Sequence, residues 1–257
     1  MGSGVVAFNI LPDNALLCDT NPHLIAFYSA LKAGDITESI VRSYLMQEGA
    51  KLRDAGEVYY YQVRERFNKE HSPLDFLFLN RSCFNGVMRF NSKGNFNVPF
   101  CRKPGRFAQA YITKIVNQVA AVREILSAKQ FDFVCQDFRD TFSMLSSEDF
   151  LYCDPPYIDR HTDYFNQWSE NDELKLFELL ANVSSDFVFS TWKGNEFRKN
   201  KYIELYSKHF YLHTQEHYYH IGGMIDNRHP IEEALFLNYH IKAVNRSQYA
   251  EQQLLGL

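Results

Sequence analysis

The second half of the chain alternates short apolar runs with amphipathic segments, and this alternation restricts the fold more than any other feature. Apolar runs that predict strands lie at 131–135, 150–153, 186–191, 210–219 and 233–240, and helical spacing occurs at 171–182 and 195–209. Strands alternating with helices predict a parallel α/β sheet, closed here by an antiparallel hairpin. The chain is 46% hydrophobic, which is enough to fill the core of such a sheet.

The first half predicts the start of this sheet and then an insertion. A Gly2-Ser3-Gly4 turn enters a helix, an apolar strand ends at Asp19, and Asn21-Pro22 opens a helix that runs to Ala33. Residues 36–80 and 108–127 have helical spacing, whereas the turn signals within 83–100 predict a β-hairpin. We therefore predict a catalytic domain formed by 1–34 and 130–257, with a helical, hairpin-bearing domain inserted at 35–129.

The charge distribution of the insertion indicates a nucleic-acid partner. The whole chain has a net charge of −4, but no Asp or Glu occurs between Phe76 and Arg123. An ordinary solvated surface would also explain a run of charges, but here the cations alternate with Asn, Gly and aromatic residues, which favours DNA binding. The cations of this stretch are Arg81, Arg89, Lys93, Arg102, Lys103, Arg106, Lys114 and Arg123.

The motif with the clearest chemistry is Asp154-Pro155-Pro156-Tyr157, which directly follows a predicted strand. Ligands of open α/β sheets bind at the carboxyl ends of strands, and the prolines fix the backbone there without adding amide donors. The Asp154 carboxylate and the Pro155 carbonyl can both accept from the amino group of an adenine, which frees its lone pair for methylation. The Tyr157 ring offers a stacking surface for an extruded base. The alternative interpretation is a plain turn after a strand.

Five other residues are candidates for binding a nucleotide-like cofactor. Gly2 and Gly4 lie at a turn before a helix, and an acid such as Asp19 at a strand end commonly binds ribose hydroxyls. Asp137 could bind an adenine amino group while Phe138 stacks on the ring. For each of them a structural or surface role is the alternative.

Together these motifs resemble the Dam-type (D12 class) adenine-N6 DNA methyltransferases over nearly the whole chain. The segments that carry the resemblance are GSG at 2–4, DTNPHLIAFY at 19–28, NRSCFNGVMRFNSKGNFNVPF at 80–100, QDF at 136–138, YCDPPY at 152–157 and EEALFLNY at 232–239. The resemblance implies a Rossmann-like methyltransferase sheet, S-adenosyl-methionine as cofactor and double-stranded DNA as substrate.

The resemblance also implies roles for particular positions. Gly2 and Gly4 would approach the methionine part of the cofactor, Asp19 its ribose, and Asp137 with Phe138 its adenine. Asp154 and Tyr157 would handle the target base, with Asp154 also bordering the cofactor. Within the predicted hairpin, Phe84, Asn85, Arg89 and Pro99 match positions that read or wedge into the target. The full set of expected DNA contacts is Arg81, Phe84, Asn85, Arg89, Asn91, Lys93, Pro99, Arg102 and Lys103.

The same family implies a target that begins GAT. We expect GATATC, with the chain serving as the modification component of a restriction–modification system, or GATC for an orphan methylase. A cognate endonuclease would share the site without direct contact. The family's first strand and a Lys-containing segment usually precede the glycine motif, so we expect weak cofactor binding and a mobile end at Met1 and Gly2.

Three alternatives to an active adenine methylase stay open at this point. The chain could be an inactive DNA-binding remnant, an N4-cytosine methyltransferase or a methyltransferase of another substrate; the Asp of DPPY argues against the second, whose motif usually begins with Ser. The five cysteines form no zinc-type pair, and no signal peptide or membrane-length apolar run occurs. We expect free thiols, no metal site, no membrane partner and a cytoplasmic location.

Overall fold

The computed structural model describes residues 1–158, 168–217 and 231–241. The described residues form two compact units, one comprising 1–137 and the other beginning at Phe138. This border follows from packing, and the division into a catalytic domain (1–34 and 130–257) and a recognition domain (35–129) stays a prediction.

The first unit contains two parallel strands and six helices. The strands are β1 (Asn14–Asp19) and β2 (Gln130–Cys135), paired in parallel with Asn14 opposite Gln130 and Asp19 opposite Cys135. The helices are α1 (Val5–Ile10), α2 (Pro22–Ala33), α3 (Glu38–Ala55), α4 (Glu57–Glu70), α5 (Pro73–Ser82) and α6 (Gln109–Ala128). The predicted helices of this half are thereby confirmed, as are the strands ending at Asp19 and Cys135.

Helix boundaries in the first unit follow from local capping. The Asn21 side chain accepts from the amides of His23 and Leu24, and Pro22 stands at the first turn, where its missing N–H costs nothing. Thr37 caps α3 in the same way by accepting from the Ile40 amide. The buried faces of these helices form one apolar core with β1 and β2, whose fully buried members include Phe8, Leu45, Phe67, Phe78 and Phe131.

A buried polar network joins three helices of the first unit. Arg66 of α4 donates to Glu48 of α3 at 2.8 Å and to both carboxylate oxygens of Asp75 in α5. The hydroxyls of Tyr59 and Tyr44 complete the network by donating to Glu48 and Asp75, respectively. Glu48 is 5% exposed and Asp75 is 1% exposed, so the Arg66 guanidinium compensates two buried carboxylates, with Lys51 as a second cation 2.7 Å from Glu48.

The second unit contains a four-stranded mixed sheet in the order β3-β4-β6-β5. Its strands are β3 (Phe150–Cys153), β4 (Asp186–Gly194), β5 (Tyr211–His217) and β6 (Ile231–Leu237). Its helices are α7 (Phe138–Phe142), α8 (Glu170–Asn182) and α9 (Ile203–Ser207). The β3–β4 pair is parallel, and β6 lies antiparallel between β4 and β5. The predicted antiparallel closing hairpin is confirmed as β5–β6, but only the β3–β4 pair of this sheet is parallel, and β1 with β2 forms a separate sheet among the described residues.

Two sequence predictions need correction. The predicted helix at 195–209 is helical only at Ile203–Ser207, because the side chains of Asn195 and Asn200 bond to neighbouring backbone and hold residues 195–202 in turns. The predicted hairpin at 83–100 is an irregular loop with two isolated bridges, Cys83–Phe100 and Phe90–Phe96. A short 3₁₀ turn at Phe84–Gly86 interrupts its first arm.

Candidate active site and DNA-contacting segment

The glycine turn at the start of the chain is tied to the end of β1. The Gly2 amide donates to Asp19 Oδ2 at 2.9 Å, and the Met1 nitrogen donates to the Cys18 carbonyl at 2.7 Å. Gly4 has a φ of 71°, and a Cβ there would lie 2.7 Å from the buried Phe8 ring. A side chain at position 4 would therefore be both strained and obstructed, which explains the glycine.

Asp19 organises this turn while keeping acceptor capacity for a ligand. Its Oδ1 accepts from the Asn21 amide at 2.9 Å and its Oδ2 from Gly2, and its side chain stays 19% exposed. An ionised carboxylate offers about four lone-pair sites, so two backbone bonds leave room for ribose hydroxyls. No described residue lies within 4 Å of a Cβ built on Gly2, so this backbone can be approached closely. These residues fit a nucleoside-type cofactor.

The carboxyl ends of β1 and β2 place Asp137 at the same edge as Asp19. The Gln136 amide donates to the Asp19 carbonyl at 3.1 Å, and Asp137 follows it directly. The first unit therefore brings Gly2, Gly4, Asp19 and Asp137 to one edge, as predicted for parallel strands.

Phe138 begins the second unit, where its ring already has neighbours. The Trp168 ring lies 5.2 Å away at 48°, and the Arg139 guanidinium lies 4.4 Å from the ring centre. Trp168 is itself fixed by donating to the buried Glu173 at 2.6 Å. A stacking role for Phe138 would therefore use a ring whose orientation is set by Trp168 and Arg139.

The DPPY motif, the candidate catalytic motif, lies where the sequence predicts it, at the carboxyl end of β3. Cys153 is paired with Phe189 in the parallel register of β3 and β4, and Asp154 is the next residue. The Tyr157 hydroxyl lies 3.4 Å from the Ser190 hydroxyl, and the Trp192 indole donates to the Ile158 carbonyl at 2.9 Å. Two side chains of β4, those of Ser190 and Trp192, thus fix the segment 154–158 along that strand.

The protein around Asp154 disfavours its charged form. The Asp154 side chain reaches solvent, yet the surrounding atoms remove enough water to raise the pKa of its carboxyl, and the Glu233 carboxylate acts in the same direction. Burial, followed by the charge of Asp154, also raises the pKa of Tyr152. A carboxylate that is poorly solvated is a stronger hydrogen-bond acceptor for a ligand amino group.

The irregular loop at 83–100, named here the recognition loop, is anchored on α4. Asn68 accepts from the Phe96 amide at 2.8 Å and donates to its carbonyl, and the Tyr60 hydroxyl donates to the Val98 carbonyl at 2.8 Å. Phe90 stacks on the buried His23 ring at 5.1 Å. Burial, then the nearby His71, lowers the pKa of His23 to about 4, so this stack is neutral at physiological pH.

The predicted DNA contacts of the recognition loop divide into two groups. Phe84, Asn85 and Pro99 lie together near its base, where the Phe84 amide donates to the Pro99 carbonyl at 2.9 Å. Phe84 is 55% exposed, and Asn85 has a φ of 55°, which presents it in a left-handed turn. Arg89, Asn91 and Lys93 lie at the far end, around the Phe90–Phe96 bridge.

Side chains at the far end are ordered by hydrogen bonds within the loop. Arg89 Nε donates to Asn97 Oδ1 at 2.9 Å, which fixes the plane of the guanidinium. Asn91 Oδ1 accepts from the amides of Lys93 and Asn95, so the side-chain oxygen of Asn91 shapes its own turn. Lys93 is exposed at the apex of that turn.

The basic stretch is not one uniform face. Arg123 forms an ion pair with Glu38. Arg81 is half-buried over the Tyr111 ring at 4.6 Å, and burial followed by the nearby Arg106 lowers its pKa. Arg102 and Lys103, in contrast, are exposed to solvent. The eight cations of the stretch therefore differ in burial and pairing, and not all of them are equally available to DNA.

Several residues that build the candidate site escaped sequence reasoning. Ser190 and Trp192 hold the catalytic motif, Asn97 orients Arg89, and Trp168 orients Phe138. Ser190, Trp192 and Trp168 act across thirty or more residues and Asn97 across eight, and a lone polar or aromatic residue has no local spacing that would indicate such a contact.

Other types of site were also sought in the described residues. Across 1–158, 168–217 and 231–241, no three His, Cys, Asp or Glu side chains are placed to hold a metal ion. In those same ranges, no helix combines the length and apolarity needed to cross a bilayer. All five cysteines are free, as expected.

The sequence of the chain matches a family of known proteins and several of its members. Residues 1–221 match the family described as D12 class N6 adenine-specific DNA methyltransferase. The DNA adenine methylase of Serratia marcescens is 34% identical over 72% of this chain and 67% of its own length. The DNA adenine methylase of Haemophilus influenzae is 33% identical over 78% of this chain and 74% of its own length.

A longer relative also matches most of the chain. The type II methyltransferase M.FokI of Planomicrobium okeanokoites is 28% identical over 91% of this chain, which spans 37% of that protein's length. The family match covers the glycine turn, the recognition loop and the DPPY motif in the order expected. The chain therefore belongs to the D12 class of N6 adenine-specific DNA methyltransferases.

Proposed function

We propose that this protein methylates N6 of an adenine extruded from double-stranded DNA, with S-adenosyl-methionine as methyl donor. The observation that carries the proposal is the position of Asp154 to Tyr157 at the carboxyl end of β3, fixed along β4 by Ser190 and Trp192. Enzymes of the D12 class use this donor, which supplies an electrophilic methyl group when bound.

In the proposed mechanism, the residues of the motif prepare the adenine for attack. The Asp154 carboxylate and the Pro155 carbonyl accept from the two N–H bonds of the amino group, which disfavours delocalisation of its lone pair into the ring. Tyr157 stacks on the extruded base, with its hydroxyl oriented by Ser190. Gly2, Gly4, Asp19 and Asp137 would hold the cofactor on the edge of β1 and β2, with Phe138 stacking on its adenine.

The proposed target is GATATC, methylated at its first adenine. Support comes from LLCDTNPHLIAFYSALK at 16–32 and LDFLFLNRSCFNGVMRFNSKGNFNVPFC at 74–101, which closely resemble the modification methylase of the EcoRV restriction–modification system. A role in such a system also agrees with the likeness to M.FokI, named a type II methyltransferase. The second candidate, an orphan GATC methylase, is supported by the likeness to DNA adenine methylases.

Methylation mapping of DNA from cells that produce the protein should test this target. We expect N6-methyladenine at the first adenine of GATATC, and an Asp154→Ala variant in the same cells is the control for background methylation. Methylation at every GATC would support the orphan enzyme instead. N6-methyladenine outside any GAT context would contradict both.

Arg89 is predicted to read a guanine of the target. Its guanidinium plane is fixed by Asn97, and a planar fork matches guanine O6 and N7, a contact worth ~1–3 kcal/mol of discrimination. Arg89→Ala should therefore reduce the preference for the target over non-specific duplex by ~5–150-fold, with a smaller loss of non-specific affinity.

Lys103→Ala is the matched control, because Lys103 is an exposed cation outside the recognition loop. This variant should weaken binding to all duplexes similarly. The slope of log affinity against log salt concentration, the salt slope, should become smaller in magnitude by about 1. Equal loss of affinity for every duplex in Arg89→Ala would show that Arg89 contacts phosphate rather than a base.

A further inference from the structure

The turn that follows β4, here named the β4 tip (residues 194–199), presents an aromatic side chain to solvent on a rigid support. Phe197 is 66% exposed, and Glu196, Arg198 and Lys199 beside it are exposed as well. The recognition loop and the catalytic motif do not include this feature. A single exposed aromatic is common on protein surfaces, so the case for a contact depends on the rigidity, position and charge of the turn that carries Phe197.

Hydrogen bonds at both ends fix the backbone of the β4 tip. Asn195 Oδ1 accepts from the amides of Phe197 at 3.0 Å and Arg198 at 2.8 Å, and the Asn195 amide donates to the Arg198 carbonyl. A bridge between Gly194 and Lys199 closes the turn. A Cβ on Gly194 would lie 3.0 Å from the Arg198 carbonyl oxygen, so the two arms approach closely.

A buried asparagine locks the base of the β4 tip onto the strand. Asn200 is 4% exposed, and its side chain donates to the Trp192 carbonyl at 3.0 Å while its amide donates to the Lys193 carbonyl. Trp192 is the same residue whose indole holds Ile158 after the catalytic motif. The tip and the motif are therefore fixed to neighbouring residues of one strand.

The sheet topology places the β4 tip beyond the catalytic edge. Strands β3 and β4 are parallel, and Cys153 is level with Phe189. After Phe189, β4 continues to Gly194, which carries the tip about 15 Å past the level at which β3 ends. That distance corresponds to about four steps of a duplex at 3.4 Å each.

Because β4 extends past the end of β3, the β4 tip lies close to any DNA bound at that edge of the sheet. A base that reaches Asp154 stays attached to its own sugar and phosphate, so its duplex lies within one nucleotide of that edge. We propose that the β4 tip is a DNA-binding element, in which Phe197 packs into the groove of the duplex away from the extruded adenine and Arg198 and Lys199 pair with nearby phosphates. This inference rests on the proposed function, because it places duplex DNA across the edge of β3 and β4.

The charges of the tip agree with this partner. Lys193 and Lys201, on either side, are paired with Glu232 and Glu170, and the turn itself carries two exposed cations, Arg198 and Lys199, and one exposed acid, Glu196. Apolar wedges flanked by cations are a recurrent means of contacting a duplex at its groove.

Fluorescence anisotropy of labelled duplexes at several salt concentrations tests the inference. Phe197→Ala should weaken duplex affinity on the order of tenfold, and Phe197→Tyr should retain it. Arg198→Gln combined with Lys199→Gln should lower the salt slope by about 2. The control is Phe150→Ala, a 55% exposed aromatic at the opposite, amino end of β3, which should bind like the unmodified protein.

The outcomes separate this inference from the proposed function. If the unmodified protein binds and methylates duplex DNA while all tip variants keep its affinity and salt slope, the inference is wrong and the proposed function stands. If sedimentation shows that Phe197→Ala disrupts self-association without changing DNA affinity, the tip is a protein contact and the inference is also wrong. If the unmodified protein neither binds nor methylates DNA, the proposed function itself fails. Circular dichroism melting should be unchanged in Phe197→Ala, because the side chain is mostly exposed.

Discussion

Asp154→Asn is expected to reduce single-turnover methylation of a GATATC duplex by ~10²–10³-fold, the range typical for loss of one preorganised charged contact. Asparagine keeps the size of the side chain but loses the negative charge and one acceptor. The raised pKa of Asp154 adds a pH signature. Because the carboxylate is the active form, the rate of the unmodified protein should fall on acidification at a higher pH than for an ordinary aspartate. The rate of Asp154→Asn should lack that step.

The same substitution should increase the stability of the folded protein. A carboxyl whose pKa is raised by folding contributes stability below its unfolded pKa of about 4, and this contribution is lost as pH rises through the folded value. At pH 7 the ionised Asp154 therefore disfavours folding, and Asp154→Asn should melt at a higher temperature, with the difference vanishing at low pH. A variant that is no more stable at pH 7, and as active as the unmodified protein, would contradict the assigned role.

Arg66→Met is expected to produce the largest loss of stability. It removes the cation shared by Glu48 and Asp75 and leaves two buried carboxylates, and breaking a buried ion pair costs ~3–5 kcal/mol. Burial alone would raise the pKa of Glu48, but hydrogen bonds from Lys51, Tyr59 and Arg66 lower it overall. The associated stability is present above the unfolded pKa of Glu48 and is lost as pH falls through the lower folded value.

The loss in Arg66→Met should therefore be greatest at neutral pH and should shrink in acid. Urea unfolding should be followed by far-ultraviolet circular dichroism. Tryptophan fluorescence would not report on the unit that contains Arg66, because both tryptophans, Trp168 and Trp192, lie in the other unit. Lys175→Met, which breaks an exposed pair with Glu178, is the matched control and should change stability by under ~1 kcal/mol. A loss in Arg66→Met as small as in this control would show that water compensates the two carboxylates.

The fold was predictable wherever structure follows from local spacing. Asn21-Pro22 marks the start of α2, and short apolar runs mark β1, β2 and β3, because caps and burial periodicity act over a few residues. The helix predicted at 195–209 was mostly wrong because Asn195 and Asn200 compete for the backbone. The hairpin prediction failed in detail because Asn68, Tyr60 and His23, distant in sequence, hold the recognition loop in an irregular path.

The sequence predicted which residues could carry the chemistry of the candidate site, but not which residues hold them in place. Asp154 and Asp19 lie at the strand ends where the sequence places them, because an apolar run followed by an acid has a known geometric meaning, and their roles stay predictions. Ser190 and Trp192 were not found, because each contacts the motif from more than thirty residues away, and Asn97 was not found, because the irregular path of the loop brings it to Arg89. The cationic stretch predicted a charged surface, but only the folded chain distinguishes the paired Arg123 from the exposed Lys103.

The position of β6 between β4 and β5 has a consequence for how the protein forms during translation. A ribosome releases β3, β4 and β5 before residues 231–237, yet those residues supply the strand that both β4 and β5 need as a partner. Until they emerge, the backbone edges of β4 and β5 stay open, and such edges invite wrong pairing with other chains. In the first unit, β1 also waits for its partner β2, but that pair is complete once Cys135 has emerged. The recognition loop can therefore fold during translation before β6 has completed the sheet formed by β3, β4 and β5.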